Sequence, residues 1–455
     1  MVGIQKIKEL SKQWTAIHHI VIYYLIAVVI ATIIVSLPFL HRPGVELSFI
    51  DAMFTAVTSI SVTGLTVVSI PDVFNPAGQL AIAVILHLGG IGIMAMGTFI
   101  WVILGKKIGI RNRKMIMVEQ NSKTFSGLVK LMLEIFKLIL LIELIGAAIL
   151  SIHFLNYYDS FWEAVLHGVF ASVSATTNGG LDITGASLIP FAEDYFVQFI
   201  NMILIVLGAI GFPVLVEVKE VLRGRHQALN DRHKFSLFTK ITSVTFFWLV
   251  ILGAIFIFLL ERDAFFADKS WHETFFYSLF QSVTSRSGGL STMEVSEFSA
   301  GTLFLISALM FIGASPSSVG GGIRTTTFAI MLLTIWNYAK GNSSVKVFGR
   351  EIHQEDMLRS FIVITTALML CVGSIIVLNK TESFSLMEII FEVSSAFGTT
   401  GLSMGITPDL SVFGKCLIMC LMFIGRIGLF TFLFIVRGDD TKDRFHYPTE
   451  RVIIG

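Results

Sequence analysis

Thr58-Ser59-Ile60-Ser61-Val62-Thr63-Gly64-Leu65 decides how this chain is read, because nearly the same words return three more times. The second copy is Ser174-Ala175-Thr176-Thr177-Asn178-Gly179-Gly180-Leu181, and the third is Thr284-Ser285-Arg286-Ser287-Gly288-Gly289-Leu290. The fourth is Ser395-Ala396-Phe397-Gly398-Thr399-Thr400-Gly401-Leu402. Aligned without gaps on the closing Gly-Leu, the copies share Gly64, Gly180, Gly289 and Gly401. A short amphipathic segment precedes each copy. An apolar run with a glycine cluster follows: Leu88-Gly89-Gly90-Ile91-Gly92, Leu207-Gly208-Ala209-Ile210-Gly211, Ile312-Gly313-Ala314-Ser315 and Ile424-Gly425-Arg426-Ile427-Gly428. Four divergent copies in one chain imply four similar units around one axis.

The solvent for these units is lipid. Hydrophobic residues make up 54% of the chain, 40 residues are Phe, and mean hydropathy is +0.79. Apolar runs of about 20 residues, enough to cross a hydrocarbon core, cover residues 20–40, 80–104, 131–155, 196–218, 241–260, 301–338, 360–378 and 410–436. The sixth is too long for one straight crossing and holds a polar, Gly-rich interruption. The first has no small-residue cleavage site after it and is read as a retained span. Net charge is +1, which points to no particular partner and gives no reason to expect nucleic acid. The distribution says more. Of 33 Lys and Arg, 24 fall in the N-terminal segment, residues 105–130, 217–240 and 339–359, and the tail after 436. The positive-inside rule puts those segments, and so both termini, in the cytoplasm. Asp159, Glu163, Asp182, Glu193, Asp194, Asp263, Asp268, Glu294 and Glu297 mark the outer face.

The expected fold is therefore an all-α polytopic membrane protein. It has eight transmembrane helices and four re-entrant pore helices, arranged as pseudo-fourfold helix–pore loop–helix repeats. The repeats run over residues 20–105, 131–218, 241–338 and 360–437, between a cytoplasmic N-terminus (1–19) and a cytoplasmic tail (438–455). The short segments, residues 49–59, 160–174, 271–284 and 385–396, cannot span, and must enter and leave on the outside. Non-helical backbone at membrane depth is tolerated where it lines water or protein. A half-helix ending there aims its C-terminal carbonyls, with their partial negative charge, at the membrane centre.

A ring of four such loops is how a membrane protein builds an ion filter. The candidate ligands are Gly64, Gly180, Gly289 and Gly401 with Val62, Thr63, Asn178, Gly179, Ser287, Gly288, Thr399 and Thr400. They offer backbone and hydroxyl oxygens and no carboxylate, which suits a hard monovalent cation that must also leave. Arg286 is read as a brace on the loop backbone from behind. The break in the sixth span, from Gly313 to Thr327 and including Ser317, Gly320, Gly321, Gly322 and Thr325, is read as a mobile gate. The alternative is a rigid kink. Arg426 replaces the Gly or Ala of the other three units and is read as a positive barrier beside the ion path. Its alternative is an ion pair with an intramembrane acid such as Glu143. Cys371, Cys416 and Cys420 sit within spans with no metal or disulfide spacing. His87, His153 and His167 lack partners at metal spacing, there is no nucleophile elbow, and no enzyme or covalent cofactor is expected.

Four helix–pore helix–helix units, Gly-Leu at each loop end, Gly320-Gly321-Gly322 in a broken third inner helix and Arg426 in the fourth resemble the Trk/Ktr/HKT cation transporters. Within that family the pattern is similar to KtrB-like membrane subunits of bacterial Ktr uptake systems, over essentially the whole chain. The resemblance implies a potassium-selective filter, since all four positions are Gly. It implies a homodimer in the bacterial plasma membrane, surrounded by lipid, with one pore per protomer on a cytosolic RCK ring that binds ATP or ADP. Potassium is the transported ion, and sodium activates uptake in several members. Many relatives carry Phe where this chain has Leu after each filter Gly; that residue is expected to pack behind the filter. Two other readings stay open here: a sodium-selective channel of the same fold and an alternating-access secondary transporter.

Overall fold

Ser48, Ser270 and Ser385 begin three short helices in the same way. Each hydroxyl accepts from the backbone N–H three residues on, and Glu273 and Glu388 complete capping boxes in the last two. The computed structural model describes residues 16–92, 127–223, 235–342, 344–429 and 431–433, with positions 448 and 450. The expected N-terminal segment, most of the basic link 105–130, the middle of 217–240 and the tail lie largely or wholly outside the described residues.

The described chain is mostly helical and repeats one pattern four times. Unit 1 holds α1 (Ala16–Val35), the short α2 (Phe49–Ser61) and α3 (Pro76–Ile91). Unit 2 holds α4 (Leu128–Phe154), the short α5 (Phe161–Thr176), α6 (Tyr195–Ala209) and α7 (Phe212–Leu222). Unit 3 holds α8 (Leu237–Glu261), the short α9 (Trp271–Thr284), α10 (Ala300–Phe311) and α11 (Thr325–Ala339). Unit 4 holds α12 (Gln354–Thr381), the short α13 (Leu386–Gly398) and α14 (Val412–Ile427). A two-stranded hairpin, β1 (Lys346–Val347) with β2 (Arg350–Glu351), joins the last two units. Among the described residues four helices, α1, α4, α8 and α12, are long and apolar enough to cross a membrane.

The runs 196–218 and 410–436, read as continuous spans, are not continuous helices. α6 stops at Ala209 and the chain turns by 102° into α7. α14 stops at Ile427, and α3 stops likewise at Ile91, beyond which the run 80–104 leaves the described residues. The residue at each break is glycine with a left-handed backbone: Gly92 (φ 96°), Gly211 (φ 102°) and Gly428 (φ 89°). L-residues with side chains resist that conformation. Among the described residues the break predicted for unit 3 alone thus has counterparts in units 2 and 4, and in unit 1 α3 ends at the equivalent glycine.

Each short helix packs on the outer helix of its unit, those of units 1, 2 and 4 also on their own inner helix, and each inner helix leans on the short helix of the following unit. α3 meets α5, α6 meets α9, α10 meets α13, and α14 returns to α2, closing the ring. Lys415 Nζ, 2.9 Å from Asp51 Oδ1, ties the fourth unit to the first. Phe54, Phe170 and Phe391 stand ten residues before their filter glycines, and all are fully buried. Lipid tails are as apolar as these rings, so shape and close contact hold the units together. At the N-termini of the inner helices a polar clasp recurs. Glu261 of α8 accepts from Ser299 N (2.9 Å) and Oγ (2.6 Å), the N-cap of α10. Glu382 after α12 accepts from Ser411 N (3.1 Å) and Oγ (2.5 Å), the N-cap of α14. His153 of α4 reaches Asp194, the N-cap of α6, at 2.5 Å. Asn75, the N-cap of α3, donates to Phe39 O at 2.7 Å. Burial alone would raise the Asp194 carboxyl, but hydrogen bonds from Tyr157, His153 and the Val197 amide hold it below the usual carboxylate range.

Candidate functional site

The loops that follow the short helices alternate their backbone hand. Val62 (φ 56°), Asn178 (φ 54°), Ser287 (φ 68°) and Thr399 (φ 47°) are all left-handed, and two residues later so are Gly64 (φ 98°), Gly180 (φ 62°), Gly289 (φ 73°) and Gly401 (φ 96°). Hydroxyls at equivalent places belt the loops from behind. Thr58 Oγ1 accepts from Gly64 N (3.0 Å) and Ser395 Oγ from Gly401 N (3.0 Å). Ser174 and Thr284 donate to Leu181 O (2.5 Å) and Leu290 O (2.6 Å). Leu65, Leu181, Leu290 and Leu402 pack into the cores behind the loops.

The four glycines form a closed ring. A side-chain carbon added at Gly64 would lie 2.7 Å from Gly179 O and 2.9 Å from Gly180 Cα. One at Gly180 would lie 2.9 Å from Gly289 Cα; one at Gly289 would run into Thr400 O; one at Gly401 would run into Thr63 O. Chain order is therefore spatial order, and the candidate residues Thr63, Gly179, Gly288 and Thr400 lie within the ring strands. The hydroxyls of Thr176 and Thr400 are buried with no protein partner. Asn178 differs: its side-chain amide, oriented to satisfy its neighbours, donates to Ala175 O (2.9 Å) and Ile205 O (3.2 Å), so it contributes backbone to the ring and ties α6 to it. In units 1, 2 and 4 the first glycine of the inner cluster lets that helix meet the end of its own short helix: Gly89 lies against Ile60 O, Gly208 against Thr176 O and Gly425 against Phe397 O, whereas Gly313 of unit 3 lies against Gly321 O of the connection.

In unit 3 the connection from Gly313 to Thr325 lies against this ring and is stitched to unit 2. Ser315 N donates to Ala209 O (3.0 Å) and Val319 N to Gly208 O (3.3 Å), while Phe212 N donates to Ser317 O (2.8 Å). The connection thus satisfies the backbone groups freed by the bend between α6 and α7. Ala314 N reaches Gly321 O (3.2 Å), Thr325 Oγ1 reaches Ser315 Oγ (3.1 Å), and Arg324 holds Gly320 O and Ser315 O. All six candidate gate residues fall in this one fold of chain.

Two arginines cap inner helices. Arg286, wholly buried, donates to Leu309 O in the last turn of α10, an inner-helix carbonyl and not the loop backbone it was expected to brace. Arg426 donates to Gly89 O and to Gly90 O (3.1 Å), the last turn of α3 in the next unit. Cations at a helix C-terminus meet carbonyls that the helix itself leaves unpaired. Glu143, weighed as a partner for Arg426, is instead paired with His87 at 2.8 Å. Arg324 and Arg426 lie close enough to act on one another electrostatically. A residue missed in the sequence is Glu392 of α13, 1% exposed, which accepts from Ser403 Oγ (2.8 Å) and Thr407 Oγ1 and so holds the segment just after Gly401. Its signal was a carboxylate inside a helix otherwise fit for burial.

Four half-helices ending on a closed ring of glycine backbone, within a strongly apolar helical molecule, are the features the comparisons with known proteins must account for. The chain belongs to the TrkH family of cation transport proteins, whose model matches residues 11–440; it is a transporter family and not an enzyme family. The chain is 59% identical to Ktr system potassium uptake protein D of Bacillus subtilis over 96% of both chains. It is 33% identical to potassium/sodium uptake protein NtpJ of Enterococcus hirae, over 98% of this chain and 99% of that one. The crystal structure of the potassium transporter TrkH from Vibrio parahaemolyticus superposes with a TM-score of 0.70 at 20% identity, covering 91% of this chain and 84% of that one. At that identity the likeness speaks for the fold.

Proposed function

We propose that this chain is the membrane subunit of a Ktr-type potassium uptake system. The observation that carries the reading is the closed ring of Gly64, Gly180, Gly289 and Gly401 with its left-handed strands. Alternating hand turns successive carbonyls to one side, where they replace the hydration shell of a potassium ion. The four units extend over residues 20–105, 131–218, 241–338 and 360–437. They amount to eight membrane crossings and four pore helices, with both termini in the bacterial cytoplasm and the acidic loops outside. The connection 313–325 is the gate, and Arg426 is a barrier beside the ion path. The subunit works as a homodimer on a cytosolic RCK ring that binds ATP or ADP, and sodium activates it. The Ktr names of the relatives support the system, and the name of NtpJ supports sodium as a second ion. Expression in a bacterium lacking potassium uptake, with and without an RCK partner, should restore growth at limiting potassium, most strongly with the partner. Reversal potentials dominated by sodium in mixed potassium and sodium would replace the reading with a sodium channel of the same fold.

Arg426 gives a sharper expectation. A positive charge about 4 Å from the path repels a cation by roughly 4 kcal/mol at an effective dielectric of about 20. Its hydrogen bonds to α3 oppose this cost by holding the guanidinium to one side. Arg426→Ala should raise potassium flux per folded protein by at least about tenfold, or about 1.4 kcal/mol of barrier. The lost cap should lower thermal stability by about 1 kcal/mol. A fall in flux in proteoliposomes would make the arginine purely structural.

A further inference from the structure

We propose that Thr399 couples the position of the 313–325 connection to the shape of the fourth filter strand, making it a specificity-determining residue as well as a wall of the pore. The proposal rests on the reading of the four loops as an ion filter. Thr399 is β-branched yet sits at φ 47°, ψ 52°, where such residues are genuine outliers. Its hydroxyl oxygen accepts a 2.7 Å hydrogen bond from Gly321 N, in the connection. A carbon added at Gly321 would lie 2.6 Å from Thr399 Oγ1, and one at Gly320 would lie 2.6 Å from Ser287 Oγ. The two bare glycines therefore press on the left-handed residues of strands three and four at one level. Ser287 Oγ donates to Gly398 O at 3.0 Å and joins those strands to each other. Below them the base of strand four is pinned: a carbon at Gly398 would meet Met310 O, and one at Gly322 would lie 3.1 Å from Gly398 Cα.

These contacts make the connection part of the scaffold of the filter. When it withdraws, Thr399 loses its donor while keeping an unfavourable backbone conformation. The strand can then relax, rotating the Thr399 and Thr400 carbonyls that the ring uses. Motion of the connection thus changes which ions pass as well as how fast they pass.

The test is potassium and sodium flux in proteoliposomes for the full chain, Thr399→Val, Thr399→Ser, a Ser317–Gly322 deletion, and the deletion combined with Thr399→Val. Thr399→Val should lower the potassium-to-sodium flux ratio about tenfold, the worth of one buried hydrogen bond. Thr399→Ser, which keeps the acceptor, should stay within about twofold of the parent. The deletion should lower the ratio as far, and adding Thr399→Val to it should change nothing more, because both remove one interaction. A parental ratio in folded Thr399→Val overturns the proposal, and so does a further fall in the double variant. If Thr399→Val does not fold, a parental ratio in the deletion alone overturns it. Absence of both fluxes in the unaltered chain would sink the filter reading itself, an outcome distinct from the others.

Discussion

Replacing a ring glycine by serine should abolish most potassium discrimination, and the four replacements should not be equal. Every ring glycine has a neighbour's backbone where a Cβ would go, so each variant must push two strands apart. Gly64 and Gly401 carry a second penalty. Their φ values of 98° and 96° lie well outside the left-handed basin that side chains tolerate near 57°, whereas Gly180 at 62° lies inside it. Left-handed backbone costs an L-residue roughly 1–2 kcal/mol even at its optimum. We expect Gly64→Ser and Gly401→Ser to reduce apparent potassium affinity at least about a hundredfold, or about 2.7 kcal/mol, with sodium permeation rising. Gly289→Ser should follow, because its Cβ would strike Thr400 O, and Gly180→Ser should be mildest. Uptake kinetics at graded potassium with competing sodium would measure the order. Parental affinity in all four variants would remove the filter assignment.

Deleting Ser317–Gly322 should have the next largest effect, a rise in flux of about tenfold or more, equivalent to about 1.4 kcal/mol of barrier. Flux should also depend less on any cytosolic regulator. The connection rests on backbone hydrogen bonds to Gly208, Ala209 and Phe212, on Thr399 and on the fork of Arg324. It holds no apolar anchor larger than Val319 and Ile323. Hydrogen bonds of this kind are worth about 1 kcal/mol each, a scale on which a regulator can act. The deletion also strips partners from Gly208 O and Phe212 N, so flux must be normalised to folded protein. Unchanged or reduced normalised flux would make the segment a rigid kink.

The repeat, the short helices and the ring were legible because each rests on local chemistry. A capping serine, an amphipathic turn and a Gly-Leu stop recur within a few dozen residues. The helix breaks were written too, as Gly92, Gly211 and Gly428, but hydropathy could not see them, since both flanks of each glycine are apolar. In unit 3 alone polar residues surround the break, and it alone was predicted. The N-cap clasps were hidden for another reason. Glu261 with Ser299 and Glu382 with Ser411 are 38 and 29 residues apart, and either acid alone reads as a loop residue. The partner of Arg426 was beyond reach for both reasons. Gly89 O and Gly90 O become acceptors only because α3 ends at Ile91, and they belong to a unit more than 300 residues away.

The inner-helix breaks give the pore an electrical shape that differs from its backbone symmetry. α3, α6, α10 and α14 each end in a last turn whose carbonyls have no donor within the helix itself. Guanidinium groups cover the ends of α3 and α10, which belong to the first and third units and face each other across the ring. In the second unit neutral amides from 315 and 319 do the same work, and in the fourth α14 runs out at Gly428. Guanidinium groups thus cap the inner helices of the first and third units, while neutral amides cap that of the second. On the proposed reading of the loops as an ion filter, an ion leaving them would meet a potential of lower symmetry than the backbone that shapes it.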